Sequence, residues 1–337
     1  VLTIGAKVRE LAGIKPGNIP HEVLASDEPL VLRGLVSDWP CVREALRGSA
    51  AILSYLRGFC RNQEVMVFRG SPEIDGRFFY NEDLTGFNFE KTSSMLESLL
   101  SRLESLEGGH DEPSLYIGST SVDSAFPGFR EDNDLSLREL NPLVSIWMGN
   151  RTRIAAHFDS PDNIACVAAG RRRFTLFPPD QLANLYVGPL DFTPAGQAIS
   201  LVDFKRPDYV RYPLFEEALA RAQVAELGPG DAIYLPSMWW HHVEALDSFN
   251  VLINYWWRSL PMNMGTPIDA LVHALLSLRG LSESQKRAWR NLFEYYIFDA
   301  DNNDLSHIPE RSLGILGELD DATARQIRSM LRSKLGK

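Results

Sequence analysis

Cysteine is scarce in this chain: three residues in 337, Cys41, Cys60 and Cys166, scattered and never in a CxxC pair. That excludes a disulfide framework and points to a reducing compartment, so a cytoplasmic location is expected. Basic charge is also short, with 34 Lys and Arg against 44 Asp and Glu and a net charge of -10. A surface of that sign does not bind nucleic acid without regard to sequence, which needs a basic footprint. The longest apolar runs fall well short of a membrane span. The opening VLTIGAKVRE lacks the basic and apolar regions of a signal peptide. Internal repeats and low-complexity tracts are missing too. The expected partners therefore include neither membrane nor nucleic acid. Hydrophobic residues make up 45% of the chain, enough for a sizeable core.

Three stretches differ in pattern. In residues 1–113, PLVLRGLV (29–36) reads as a buried strand ending at Ser37-Asp38-Trp39-Pro40. Helices are predicted over Cys41–Arg47 and Ser49–Arg57, and a second strand over Val65–Arg69. Lys91–Glu107 carries Met95, Leu96, Leu99, Leu100 and Leu103 at the spacing of one helical face, with Gly108-Gly109 as its stop. Residues 114–260 show short β-like runs: Leu115–Ile117, Ser145–Met148, Ile154–Phe158, Ile164–Ala169, Arg172–Phe177, Ala232–Leu235 and Val251–Trp257. Pro, Gly and Asp punctuate them, as in a sandwich or jelly roll. Residues 261–337 turn helical. Ile268–Leu278 is one helix, Ser282-Glu283-Ser284-Gln285 has capping-box form, and Asp321–Leu335 is the last. Trp289, Leu292, Phe293, Tyr296 and Ile297 form a wide apolar stripe. Such a stripe suits either packing against the barrel or a homodimer interface.

The chemistry is concentrated in two places. In IAAHFDSPDN, His157 and Asp159 are two apart on a predicted strand and point to one face. A distant histidine from Trp239-Trp240-His241-His242 completes two imidazoles and one carboxylate. That set suits non-haem Fe(II) and leaves coordination positions open for a co-substrate and O₂. His241 and His242 point opposite ways if extended, and pattern alone does not choose between them. His21, His110, His273 and His307 fall in loops or helices outside this region and read as surface or capping residues. On the strand Arg172–Phe177, Arg172 shares a face with Phe174 and Leu176. If that face is interior, Arg172 is a buried cation whose planar fork suits a carboxylate.

The block SIWMGNRTRIAAHFDSPDNIACVAAGRRRFTLFPPDQ, followed by LGPGDAIYLPSMWWHHVEAL and INYWW, resembles the JmjC/cupin-like Fe(II)- and 2-oxoglutarate-dependent oxygenases, with the nearest likeness to asparaginyl hydroxylases. The detailed likeness covers about residues 114–258. It implies a mainly β fold: a double-stranded β-helix, or jelly roll, over 114–260, flanked by N-terminal α/β elements (1–113) and C-terminal helices (261–337). It implies His157, Asp159 and His241 as iron ligands, the first histidine of the pair taking that role. It implies Arg172 and Tyr116 on the far carboxylate of 2-oxoglutarate, with Asn163, Asn254 and Trp256 around the co-substrate. The implied reaction is hydroxylation of a protein or peptide side chain with release of succinate and CO₂.

Two positions depart from the family. Arg172 stands where the family has lysine. Ile154 stands where it has a threonine that helps hold 2-oxoglutarate, and Ser145 or Thr175 is the expected substitute donor. Segments 119–140 and 186–215 are expected to frame the substrate groove. A small-molecule hydroxylase on the same scaffold and a cupin-type metal protein without oxygenase activity are the competing readings.

Overall fold

Two β-sheets form the body of the protein, because its apolar residues recur with period 2 between turn residues. The computed structural model describes residues 2, 4–107, 112–258 and 264–335. It divides into two units, Val1–Arg258 and Ser259–Lys337. In the first, a six-stranded sheet has the order Ala6–Lys7, Gln223–Leu227, Arg172–Phe177, Trp240–Ala245, Arg153–His157, Arg77–Phe78. A nine-stranded sheet has the order Arg9–Ala12, Leu30–Arg33, Ala232–Leu235, Asp162–Ala169, Asn250–Trp257, Leu143–Gly149, Ser114–Ser121, Glu64–Gly70, Phe89–Met95. Neighbours are antiparallel except for one parallel pair at each sheet's first edge and one at the far edge of the smaller sheet. The chain is thus mainly β, a jelly roll with a helical C-terminal segment. Residues before 114 supply strands to both sheets.

The strand Asp162–Ala169 is buried on both faces, which explains its nearly unbroken apolar run. Ile164, Cys166 and Ala168 face a core that also holds Ile52, Leu53 and Leu56 of helix Ser49–Arg57 and Leu99, Leu100 and Leu103 of helix Leu96–Ser105. Ala165 and Val167 face a second core, with Phe174, Leu176, Val243 and Leu252. Burying each such leucine or phenylalanine stabilises the fold by roughly 1.5–3 kcal/mol. The three cysteines are free.

The predicted helix over Lys91–Glu107 is corrected: Phe89–Met95 is a strand paired with Glu64–Gly70, and the helix is Leu96–Ser105. Only Leu96 onward carries the helical apolar spacing inward. Lys91, Thr92 and Ser93 have no buried face and take the free edge of the sheet. The stop at Gly108-Gly109, like His110, lies outside the described residues. Segment 119–140 is corrected as well: Val122, Ala125, Phe126, Phe129 and Leu135 are buried in the main core, so most of it is packing and not groove. The strands Gln223–Leu227 and Trp240–Ala245 and the helix Phe215–Arg221 add to the predicted elements.

In the second unit the helices are Pro267–Leu278, Glu283–Phe293 and Asp321–Leu335. The capping box is present, with Ser282 and Gln285 bonded reciprocally. Glu294–Phe298 closes the second helix with a π-turn. Among the described residues of this unit only Ala324 is buried, and Trp289, Leu292, Tyr296 and Ile297 are exposed. No helix among the described residues is long and apolar enough to cross a membrane.

Candidate metal centre

His157 ends the strand Arg153–His157 and pairs directly with His241 of Trp240–Ala245. The ladder shifts between His241 and Val243, which pairs with Ile154. The extra residue on the His157 side is a bulge beside the cluster. Asp159 follows in the turn after the strand. The Met238 N–H donates to the Asp159 carbonyl at 2.9 Å, and Ser237 binds the Ser160 carbonyl at 2.6 Å and the Asp162 carboxylate at 3.0 Å. These bonds clamp the turn before His241 onto the turn that carries Asp159.

Ligand atoms of His157, Asp159 and His241 lie within 4.8 Å of one another. His241 Nε2 is 3.7 Å from Asp159 Oδ2, and the two imidazole centroids are 4.3 Å apart. His157 Nδ1 is 2.9 Å from the Ala155 carbonyl, and His241 Nδ1 is 3.0 Å from the Trp239 carbonyl. A carbonyl only accepts, so each Nδ1 carries the proton and each Nε2 keeps its lone pair for a metal. Burial, followed by the nearby His157, holds the His241 imidazole well below its ordinary pKa, which keeps that lone pair free. Asp159 Oδ1 accepts a 3.1 Å bond from Gln197 Nε2. The donor set, with its paired tautomers and a steered carboxylate, fits a divalent ion of the Fe(II) type. His242 sits on the other face, buried and stacked on Phe204 at 4.5 Å.

All eight residues expected at the site line one cavity of about 250 Å³: His157, Asp159, His241, Tyr116, Asn163, Arg172, Asn254 and Trp256. Arg172 is 2% exposed, and among the described residues its guanidinium has no hydrogen bond or ion pair; its Nε is buried without a partner. Burial lowers its pKa, with Tyr116 acting in the opposite direction. An arginine stays charged in a protein, so this is a buried cation without an anion. Burial, above all else, raises the Tyr116 phenol. Asn254 donates to Asn163 at 2.9 Å and leaves its own Oδ1 free, and the Trp147 and Trp256 indole N–H groups are also unpartnered.

Ile154 lines the cavity, as the departure from the family requires, but Thr175 does not replace its missing donor. Thr175 pairs with His242 and faces away, into a separate cleft. Ser145 does not line the cavity; its hydroxyl meets Ser119, which does, at 3.3 Å. From segment 186–215 come Pro194, Ala195, Gln197 and Ile199. Arg153 holds this segment through Asp203 at 3.2 Å and ties it to Asp75 at 3.1 Å. Sequence reading passed over Gln197, Ser119, Trp147 and the rings of Phe68, Phe78 and Phe89, all in the cavity wall. Trp147 was legible: it lies opposite Leu252, in step with Asn254 and Trp256 on one face of the neighbouring strand. Gln197 sits in a loop without periodicity.

A jelly roll with this cluster between its sheets defines a protein of the JmjC/cupin class. The model of the family described as "Cupin-like domain" matches residues 16–263, and the chain belongs to that family. It is 34% identical over 131 residues to "Lysine-specific demethylase JMJ31" of Arabidopsis thaliana, covering 38% of this chain and 23% of the relative. To "JmjC domain-containing protein D" of Dictyostelium discoideum it is 24% identical over 250 residues, 68% of this chain and 52% of the relative. To "tRNA wybutosine-synthesizing protein 5" of Mus musculus it is 31% identical over 146 residues, 42% and 41% of the two chains. The chain spans less than two thirds of the length of each of these relatives.

Proposed function

We propose that this protein is an Fe(II)- and 2-oxoglutarate-dependent oxygenase that hydroxylates a protein or peptide side chain. The observation that carries the reading is the guanidinium of Arg172, buried without a counter-ion in the cavity that also holds His157, Asp159 and His241. An unneutralised buried cation of this kind calls for an anionic ligand. The far carboxylate of a 2-oxoacid answers that need, and its fork-to-fork match with arginine is favourable.

His157, Asp159 and His241 would hold the iron, and Arg172 with the Tyr116 hydroxyl would hold the 2-oxoglutarate tail. The Asn254 Oδ1 and the indole N–H groups of Trp147 and Trp256 offer further polar contacts inside the cavity. When bound, iron and 2-oxoglutarate supply the O₂-dependent oxidation that yields succinate, CO₂ and a hydroxylated product. Gln197 holds one carboxylate oxygen of Asp159, which would leave the other to bind a metal. Phe174, Leu235, Val243 and Leu252 line the same cavity and exclude water from it.

Lysine demethylation, the activity in the Arabidopsis relative's name, has less support: Asp159 is the only carboxylate among the described residues lining the cavity. A small-molecule substrate is the second reading, favoured by the wall that Pro194, Ala195 and Ile199 add to the cavity. The test is conversion of 2-oxoglutarate to succinate by the Fe(II)-loaded protein. It should be lost in both His157→Ala and Asp159→Ala. Retention in both variants would defeat the assignment.

A further inference from the structure

The cavity has a wall that neither the metal nor a 2-oxoacid uses. Phe68, Phe78 and Phe89 line it and carry no polar atom. Phe68 is 5.4 Å from Phe89, and Phe78 meets Phe89 edge-on at 5.3 Å. Tyr116 lies 6.0 Å from both Phe68 and Phe78 and stacks on Trp147 at 5.7 Å. Phe68 and Phe89 are partly exposed and belong to none of the hydrophobic cores. Partly exposed rings that line a cavity and belong to no core, as Phe68 and Phe89 do, are surface prepared to bind.

Two cations lie near this wall, Lys91 and Arg172. The Lys91 amine stands 5.6 Å from the Phe68 centroid, 5.0 Å from Phe87 and 6.0 Å from Phe89. Among the described residues it has no carboxylate partner. A cation thus already sits over these ring faces. Arg172 lies in the cavity wall, and among the described residues the only carboxylate there, Asp159, belongs to the ligand cluster. A second cation entering here would meet repulsion from Lys91, while Asp159 would be taken up by the metal and the 2-oxoacid tail by Arg172.

We propose that the aromatic wall is the substrate subsite, and that the group it presents to the metal centre is an uncharged apolar side chain of a peptide, aromatic or branched aliphatic. Protonated lysine and arginine side chains are excluded by Lys91. This rests on the reading of the cavity as an oxygenase site, and narrows its substrate class.

Saturation-transfer NMR on the Zn(II)-loaded full chain with 2-oxoglutarate tests it. The probes are the Nα-acetyl amides of phenylalanine, leucine and lysine. The first two should show transfer and the lysine probe none. Phe89→Ala should weaken the phenylalanine probe about tenfold; Phe89→Leu serves if the alanine variant does not fold. Lys91→Glu, at an exposed strand position, should strengthen the lysine probe about tenfold. Equal or stronger binding of the lysine probe to the unaltered protein would overturn the proposal, as would no transfer to any probe. The 2-oxoglutarate resonances are read in the same samples, so failure of the oxygenase reading shows separately.

Discussion

His157 and His241 are directly paired residues on adjacent antiparallel strands, with ring centroids 4.3 Å apart. The ladder shift just beyond this pair brings both Ile154 and His157 to the cavity, although they are three residues apart. A regular strand would send one of them to the opposite face. The bulge therefore sets how the His157–His241 cluster and the cavity beside Ile154 share one sheet face.

Under the proposed function, Gln197 would act on a metal through Asp159, as a positioning residue. Gln197→Ala should weaken Co(II) binding about tenfold, as loss of a partner behind a metal ligand does. The Co(II) visible spectrum should change with it, because the carboxylate is free to rotate. Titration followed by that spectrum checks both, and an unchanged affinity would remove Gln197 from the account.

Under the proposed function, Arg172 trades stability for binding. Replacing a buried, unpaired cation by an apolar residue of similar length relieves its desolvation, so Arg172→Met should unfold no more easily than the unaltered protein without ligand, and stabilisation of about 1–4 kcal/mol is expected. The same variant should lose the stabilisation that 2-oxoglutarate gives the unaltered protein. Denaturant unfolding with and without 2-oxoglutarate measures the two effects together.

Asp203 anchors the segment that walls the cavity. Burial pushes its carboxyl up, but Arg77, the Lys205 amide and Arg153 together hold it below the ordinary aspartate value of 3.8. A carboxyl with a lowered folded-state pKa contributes stability above its unfolded value and loses it as pH falls through the folded one. The unaltered protein should therefore be more stable than Asp203→Asn at neutral pH, and the gap should close below about pH 4. Thermal melts of both proteins across this range show whether it does.

The exposed apolar stripe of the C-terminal helices supports the proposal of a homodimer through this segment. A hydrophobic groove runs along helices Pro267–Leu278 and Glu283–Phe293, lined by Leu271, Leu275, Trp289 and Phe293. Under that proposal, Leu292→Asp with Phe293→Asp yields monomers on light scattering, where the unaltered chain gives dimers. Equal masses would return the stripe to packing within one chain.

Much of the sheet structure was legible because turn residues bound it: Arg172–Phe177 and Ala232–Leu235 have the predicted limits. The choice between His241 and His242 was not. Trp240–Ala245 is buried on both faces, with His241 and Val243 towards the cavity and Trp240 and His242 towards another apolar cluster and Phe204. Alternation then carries no inside-versus-outside signal; the family resemblance pointed to His241, and in the structure it is His241 that pairs with His157 across the sheet. The strand Phe89–Met95 was hidden for the opposite reason: an edge strand with little burial leaves no apolar period to read. Gln197 needed the path of a loop, and Lys91 needed its pairing with Phe68 across the sheet, which adds a third ring to Phe87 and Phe89 of its own stretch.

In the proposed site, Arg172 holds the tail of a 2-oxoacid whose other end chelates iron. Anaerobic titration of 2-oxoglutarate into the Fe(II)-loaded protein, followed in the visible range, tests it most directly. The account predicts a weak metal-to-ligand charge-transfer band, which in Arg172→Ala requires at least about tenfold more 2-oxoglutarate. Iron binding with no band, or a band with the same midpoint in Arg172→Ala, would contradict it.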